Sequence, residues 1–322
     1  GQTSAPFSSG QNNTAVGYQA LTAFTTAEDN TALGMFAGQL LTSGDSNTLL
    51  GNAAGRYMTT TSKTVLIGVT AGDAINSTDA DGTVAIGYQA GTAITSGQRS
   101  TLVGYQVGDS ITTGDRNTAF GYQALMTATT GNRNTAVGHG ALRDLVAGAV
   151  NNNTAVGNDA GHDSTTASGS TFVGAFAGYD VTTGNNNTAI GMYAMYSGDT
   201  TGDNNVAVGV NSGYDLTSGT QNTFIGSEAG ANVTTAVGST AVGYKALGAY
   251  ATTGQHNTVI GYQAAQYITS GEKNTILGGN SAGNLIEGRA NVSIGHYSMG
   301  AIRREVSDSV VVGNNALAYH GA

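Results

Sequence analysis

The chain has no cysteine, no tryptophan and a single proline, Pro6, and only 10% of its 322 residues are charged. The absence of cysteine excludes disulfides and thiolate metal sites. Lys and Arg form no cluster larger than Arg303-Arg304, whereas nucleic-acid binding requires a basic face. No apolar run reaches the roughly 18 residues of a membrane-spanning helix. We therefore expect neither nucleic-acid binding nor membrane insertion.

Glycine is abundant instead, with 50 residues, and 39% of the chain is hydrophobic. Disordered chains combine low hydrophobicity with high net charge. Here the net charge of −9 is spread thinly along the sequence. The composition therefore favours an ordered, tightly stacked β fold with short turns.

A repeat of 17 to 19 residues accounts for nearly the whole sequence, and one glycine marks each copy. The unit reads Asn-Thr-Ala-Val-Gly-x-x-Ala and then Leu or Gly, with a clean copy at 117–133. Repeats that cannot bury a face alone form a common core by stacking. The eighteen marker glycines are Gly17, Gly34, Gly51, Gly68, Gly87, Gly104, Gly121, Gly138, Gly157, Gly174, Gly191, Gly209, Gly226, Gly243, Gly261, Gly278, Gly295 and Gly313.

Each position of the repeat has its own physical character. The residue before the marker glycine is always apolar, and the residue three before it is always Thr or Val, a shape that favours strands. Four before it, Asn occurs in twelve repeats and Ser or Thr in six, which predicts a hydrogen-bonded ladder. Three after it, the residue is Ala, Ser or, once, Val107. This small residue indicates close approach of the next layer.

These patterns predict an all-β fold, a parallel β-solenoid or β-roll of about 18 repeats of 17–19 residues. We expect a lead-in at 1–10, the solenoid at 11–318 and a tail at 319–322. The number of repeats per turn stays open, because a large residue recurs every third repeat at Met195, Leu247 and Met299. Either three repeats complete one turn, or every third coil contacts something different.

The strand pattern also predicts self-association. In Thr14-Ala15-Val16, the first and third side chains point to one side and the second to the other. Both sides are small or apolar, as in strands that are buried on both faces. One face can line the interior, and another copy of the chain is the simplest cover for the second. We expect a homo-oligomer, most simply a trimer; the alternative is a monomer that covers this face itself.

The strings at 13–21, 117–125 and 134–142 resemble the repeats of phage and bacterial tail-fibre-like proteins, which often precede an intramolecular-chaperone peptidase domain. They are also similar to the head repeats of trimeric autotransporter adhesins, although the unit here is longer. The resemblance implies a homotrimeric, adhesive fibre on a virion tail or in the extracellular, cell-surface space. Its partner would be a glycan or protein receptor on the host surface. A bacterial trimeric surface adhesin or an extracellular filament subunit is the alternative.

We expect no enzymatic activity and no cofactor. The five histidines lack partners at metal-ligand spacing, and there is no P-loop. Glycine is so abundant that a loose pattern such as Gly-x-Ser-x-Gly, present at 279–283, carries no weight. The glycine pattern of calcium-binding β-rolls is absent as well. Ice binding would require an exposed threonine array, whereas Val in the same column predicts burial.

The candidate receptor contact is the residue that follows the marker glycine, often with Gln after it. Tyrosine offers a flat ring and a hydroxyl, and Gln adds hydrogen bonds, which together suit a glycan. The alternative is a ladder in which the tyrosines pack against one another along the edge of the roll. These tyrosines are Tyr18, Tyr88, Tyr105, Tyr122, Tyr244 and Tyr262.

Overall fold

The computed structural model describes residues 9–146, 151–248, 250–300 and 305–317. These residues form eighteen parallel three-residue strands and one short 3₁₀ helix, Thr78–Ala80, which confirms the predicted all-β solenoid. The predicted tail at 319–322 and most of the lead-in lie outside the described residues. None of the described helical structure is long and apolar enough to cross a membrane.

The chain divides into two compact units, Gly1–His162 and Asp163–Ala322, with nine strands in each. The strands of the first unit are β1 (Thr14–Val16), β2 (Thr31–Leu33), β3 (Thr48–Leu50), β4 (Val65–Ile67), β5 (Val84–Ile86), β6 (Thr101–Val103), β7 (Thr118–Phe120), β8 (Thr135–Val137) and β9 (Thr154–Val156). The strands of the second unit are β10 (Thr171–Val173), β11 (Thr188–Ile190), β12 (Val206–Val208), β13 (Thr223–Ile225), β14 (Thr240–Val242), β15 (Thr258–Ile260), β16 (Thr275–Leu277), β17 (Val292–Ile294) and β18 (Val310–Val312).

One repeat makes one turn of the solenoid in both units. Each strand pairs in parallel with the strand of the next repeat, as where Thr14 lies beside Thr31 and Thr223 beside Thr240. The possibility of three repeats per turn is thereby excluded. The large residues that suggested it, Met195, Leu247 and Met299, are fully buried and fill the interior.

The three residues of each strand divide between the interior and the surface. The middle residue points inward, and Ala32, Leu49 and Phe172 are examples with no exposed area. The flanking threonine and aliphatic side chains point outward, because successive side chains on a strand alternate in direction. In a single chain the predicted second face is therefore open to solvent.

The asparagine column forms the predicted ladder inside the solenoid. Asn30 is fully buried, and its side-chain amide donates hydrogen bonds to the side-chain oxygen of Asn13 (3.0 Å) and to the carbonyl oxygen of Gly44 (2.9 Å). Its own side-chain oxygen accepts from both the main-chain and side-chain amides of Asn47, each at 2.9 Å. The ladder satisfies polar groups that would be costly to bury unpaired.

The marker glycine follows each strand and starts a turn that no other residue fits. Gly226 has φ +129°, and a Cβ atom there would lie 2.7 Å from the carbonyl oxygen of Gly243 in the next turn. Both the backbone conformation and this close approach require glycine. Two residues later the chain adopts φ near +55°, as at Gln123 (54°) and Phe176 (56°).

Candidate functional site

An apolar face runs along the outer side of the sheet in each unit. In the first unit Val16 and Phe120 are 57% and 58% exposed, and the aliphatic residues that end the other strands are also open to solvent. In the second unit Ile190, Ile225 and Leu277 occupy the same column and are exposed as well. We call these columns, together with the threonines two residues before them, the outer sheet face.

The predicted receptor tyrosines of the first unit include a continuous stack. Tyr88, Tyr105 and Tyr122 lie in consecutive turns, with ring centroids 5.2 and 5.3 Å apart and planes within 14° of parallel. His139 continues the stack at 5.1 Å from Tyr122, and its Nδ1 lies 3.2 Å from a carboxylate oxygen of Asp159. The alternative interpretation, a ladder of mutually packed tyrosines, describes this geometry.

The stack limits what these tyrosines can offer a ligand. Both faces of the Tyr105 ring are covered by Tyr88 and Tyr122, so its exposed part is the ring edge and the hydroxyl group. The neighbouring glutamines form a parallel ladder, in which Gln123 donates to Gln106 at 3.0 Å and Gln106 to Gln89 at 2.9 Å. Hydrogen bonding, not ring stacking, is the chemistry that remains available here.

The other predicted tyrosines lie apart from this stack. Tyr18 is 66% exposed and meets Phe36 edge-on at 5.6 Å. Tyr244 and Tyr262 stack on each other at 5.4 Å in the second unit, and the Lys245 ammonium lies 5.2 Å from the Tyr244 ring centroid. All six tyrosines are thus exposed, but they do not form one site. Their role as receptor contacts stays a prediction.

The second unit contains a group of aromatic residues that are not among the predicted receptor contacts. Tyr179, Tyr196 and Tyr214 each lie five residues after a marker glycine, in three consecutive turns. Phe176 and Tyr193 lie two residues after a marker glycine in the first two of those turns. We call these five residues the aromatic cluster. The signal was visible in the aligned repeats, because no other repeat has tyrosine at the first of these positions.

Tyr196 lies at the centre of the aromatic cluster. Its ring centroid is 4.9 Å from Tyr193, 5.3 Å from Tyr214 and 5.4 Å from Tyr179. It meets Tyr193 edge-on at 81°, and it is inclined by 36° and 42° to the other two rings. The rings are half-buried. Phe176 and Tyr193 stack on each other at 5.3 Å and within 10° of parallel, whereas the rings of Tyr179, Tyr196 and Tyr214 are inclined and do not form a parallel stack like that of Tyr105.

Carboxylates border the aromatic cluster. Asp180 and Asp215 follow Tyr179 and Tyr214 directly in the chain. Burial raises the pKa of the Asp215 carboxyl, and it also raises the pKa of Asp180, where a hydrogen bond and the negative charge of Asp163 add to the effect. The pKa of the Tyr214 phenol is raised too, by burial first and then by its neighbours Tyr196 and Asp215. These carboxylates are therefore partly desolvated and close to the phenol groups.

A shallow depression of about 200 Å³ adjoins the aromatic cluster and shares Tyr214 with it. Asn211 and Asn232 contribute amide groups to its lining, and Glu228 contributes a carboxylate. The Glu228 carboxylate pairs with the Lys245 ammonium at 3.3 Å. The surface thus combines flat rings with hydrogen-bonding groups of both kinds.

Similarity to known proteins does not assign a function to these surfaces. No family model matches the chain, and no curated protein matches it either. The geometry of the outer sheet face, the tyrosine stack and the aromatic cluster therefore carries the functional argument.

Proposed function

We propose that this chain is a structural and adhesive protein, the shaft or receptor-contacting part of a homotrimeric phage tail fibre. A bacterial trimeric surface adhesin or an extracellular filament subunit is the alternative of the same class. In each case the chain acts on a virion or at a cell surface, binds a glycan or protein receptor of the host, and has no enzymatic activity.

The observation that carries the proposal is the outer sheet face. Each aliphatic side chain removed from water contributes about 25 cal/mol per Å² of apolar area. Soluble monomers rarely leave long contiguous apolar surfaces uncovered. Further copies of the same chain provide an equivalent surface, and closed cyclic symmetry is the usual arrangement of homo-oligomers. Three copies around one axis would cover the face in every copy.

Adhesion follows from repetition in this proposal. The exposed tyrosines recur along each unit, and three copies of the chain would triple their number. Weak contacts on linked sites combine into strong avidity when the geometry permits simultaneous engagement. A host surface that repeats the same glycan or protein would satisfy that condition.

The mass of the native particle tests the proposal. Light scattering is expected to give three times the chain mass of 32.2 kDa, or 96.6 kDa. A particle of 32.2 kDa would contradict it, because the outer sheet face would then stay in water. An open-ended distribution of larger masses would instead support the filament subunit.

A second candidate function, ice binding, is favoured by the exposure of the threonine column. Thr31, Thr48 and Thr118 are open to solvent in the single chain, although their column was expected to be buried. A regular array of hydroxyl and methyl groups on a stacked sheet is the surface that this activity needs. A monomer that shows thermal hysteresis in freezing solutions would favour this function over the fibre.

A further inference from the structure

We propose that the aromatic cluster of the second unit is a saccharide-binding site for a linear chain of uncharged or amine-bearing sugars. The inference rests on the proposed adhesive function and names its receptor class. It places the primary contact at the aromatic cluster and not at the tyrosine stack of the first unit.

The aromatic cluster departs from the pattern of the other repeats. In the first unit the Tyr88–Tyr122 stack places one ring per turn, and the rings cover one another. In the aromatic cluster two of the three turns provide two rings each, and the rings of Tyr179, Tyr196 and Tyr214 are inclined by 36° and 42°. Packing of one turn on the next does not need this arrangement, since the other turns have small or polar residues or, once, Met126 at the position of Tyr196.

The surface of the aromatic cluster has the chemistry that a sugar requires. The C–H groups on one side of a pyranose carry a slight positive charge, and the face of an aromatic ring is slightly negative. A sugar is similar in width to a phenol ring, so the three successive tyrosines offer three sugar-sized steps along the stack. Phenol hydroxyls and the amides of Asn211 and Asn232 can donate and accept the hydrogen bonds that sugar hydroxyls need.

The local charge is negative. Asp180 and Asp215 lie close to the Tyr214 phenol, and the charges of Asp163 and Asp199 both act on the Asp180 carboxyl. The nearby Lys245 ammonium is engaged by Glu228 at 3.3 Å. An acidic sugar would be repelled by these carboxylates, whereas an ammonium group would be attracted both by them and by the ring faces. The charge therefore selects against anionic glycans.

The experiment compares three trisaccharides of equal length by calorimetry on the full chain. The probes are the glucosamine trimer, its N-acetylated form and trigalacturonic acid, which are cationic, neutral and anionic. We expect the glucosamine trimer to bind about tenfold more tightly than the neutral one at low salt, and this advantage to shrink at high salt. Trigalacturonic acid is expected not to bind.

Variants locate the site. Tyr196→Ala should weaken binding of the neutral trimer by about tenfold. Tyr196→Leu keeps apolar volume, so it separates loss of the ring from loss of packing, and it should weaken binding to a similar extent. Asp180→Asn with Asp215→Asn should remove the preference for the amine while leaving the neutral trimer bound. Tyr57→Ala, at a tyrosine of the first unit that is 43% exposed and is not among the six candidate receptor contacts, is the matched control and should leave binding unchanged.

Several outcomes would overturn the inference. It fails if the neutral and cationic trimers do not bind, if the acidic trimer binds as tightly as they do, or if Tyr57→Ala weakens binding as much as Tyr196→Leu. The proposed function fails separately, through the mass of the particle. A trimeric particle that binds none of the sugars would support the fibre and contradict the saccharide site. A monomer that binds the sugars would support the saccharide site and contradict the trimeric fibre.

Discussion

The side-chain oxygen of Asn205 accepts two hydrogen bonds from Asn222, which occupies the same position one turn later. The main-chain and the side-chain amide of Asn222 each donate to it, both at 3.0 Å. Asn222 in turn donates to the carbonyl oxygen of Ala236 at 2.7 Å and accepts from the main-chain amide of Ser239 at 2.9 Å. One side chain therefore joins three turns of the solenoid through buried polar groups.

Replacing Asn222 by Ala should lower the free energy of unfolding of the second unit. The main-chain amide of Ser239 and the carbonyl of Ala236 would lose their buried partner, at a cost of about 3 kcal/mol. Asn222→Ser should cost about half as much, because serine at Ser239 already accepts a hydrogen bond from the amide of Asn257 at 3.3 Å. Thermal and urea unfolding give the free energy of unfolding of both variants. Equal stability of Asn222→Ala and Asn222→Ser would contradict the view that hydrogen bonds of the ladder cause the loss.

Replacing Gly226 by Ala should be at least as harmful. The new Cβ would lie 2.7 Å from the carbonyl oxygen of Gly243, at φ +129°, and we expect a loss of about 3 kcal/mol or more. Gly82→Ala is the control, since φ there is +77° but the nearest atom, Cγ of Arg99, is 3.8 Å away. It should cost about 1 kcal/mol, from backbone strain alone. Similar losses of stability for Gly226→Ala and Gly82→Ala would show that the close approach of successive turns is not what requires glycine at position 226.

Stability should fall as the pH rises above the ordinary pKa of aspartate. Burial raises the pKa of Asp73, Asp109 and Asp215 above 3.8, so the folded chain holds these protons more tightly than the unfolded chain does. The resulting stabilisation is complete below 3.8 and is lost as the pH rises through the raised values.

The matched variants for this pH dependence are Asp215→Asn and Glu287→Gln. Asp215→Asn removes one of the three partly buried carboxyls and should flatten the fall of melting temperature with pH, with a gain in stability at neutral pH. Glu287 is exposed, so Glu287→Gln removes a carboxylate without removing a partly buried one and is the control for the loss of one negative charge. A steeper fall of melting temperature with pH for Asp215→Asn would contradict the view that burial raises the pKa of Asp215.

Charges on the outer sheet face should dissociate the oligomer without unfolding the chain. Leu33 and Phe120 are 47% and 58% exposed in the single chain, so Leu33→Glu with Phe120→Glu is compatible with the fold. In a trimer the same charges would be buried without partners, which is strongly unfavourable. Light scattering should give the monomer mass for this variant. Met35→Glu, also at an exposed position but in the turn after the strand, should remain trimeric.

The columns of the repeat made the interior of the solenoid predictable. Asn30 and Asn47 were expected to hydrogen-bond along the stack, and the small residues after the glycine were expected at a close approach; Ala37 and Ala54 are indeed fully buried. Equivalent residues in stacked repeats have equivalent neighbours, so a column of one residue type reports directly on its contacts. The residue type of one column does not predict which residues of another column it contacts.

The sequence by itself determined the repeat, the strand positions and the ladder of Asn30 and its equivalents, because each follows from residue type at fixed spacing. It left open which face of each strand lines the interior, and the structure places the middle residue there. The tertiary structure alone decided that one repeat makes one turn and that Tyr196 meets Tyr193, Tyr179 and Tyr214. Spacing along the chain does not say which columns lie side by side, since the path of the backbone through the turn after the glycine sets that distance. The aromatic cluster exists because this turn brings two columns of rings together.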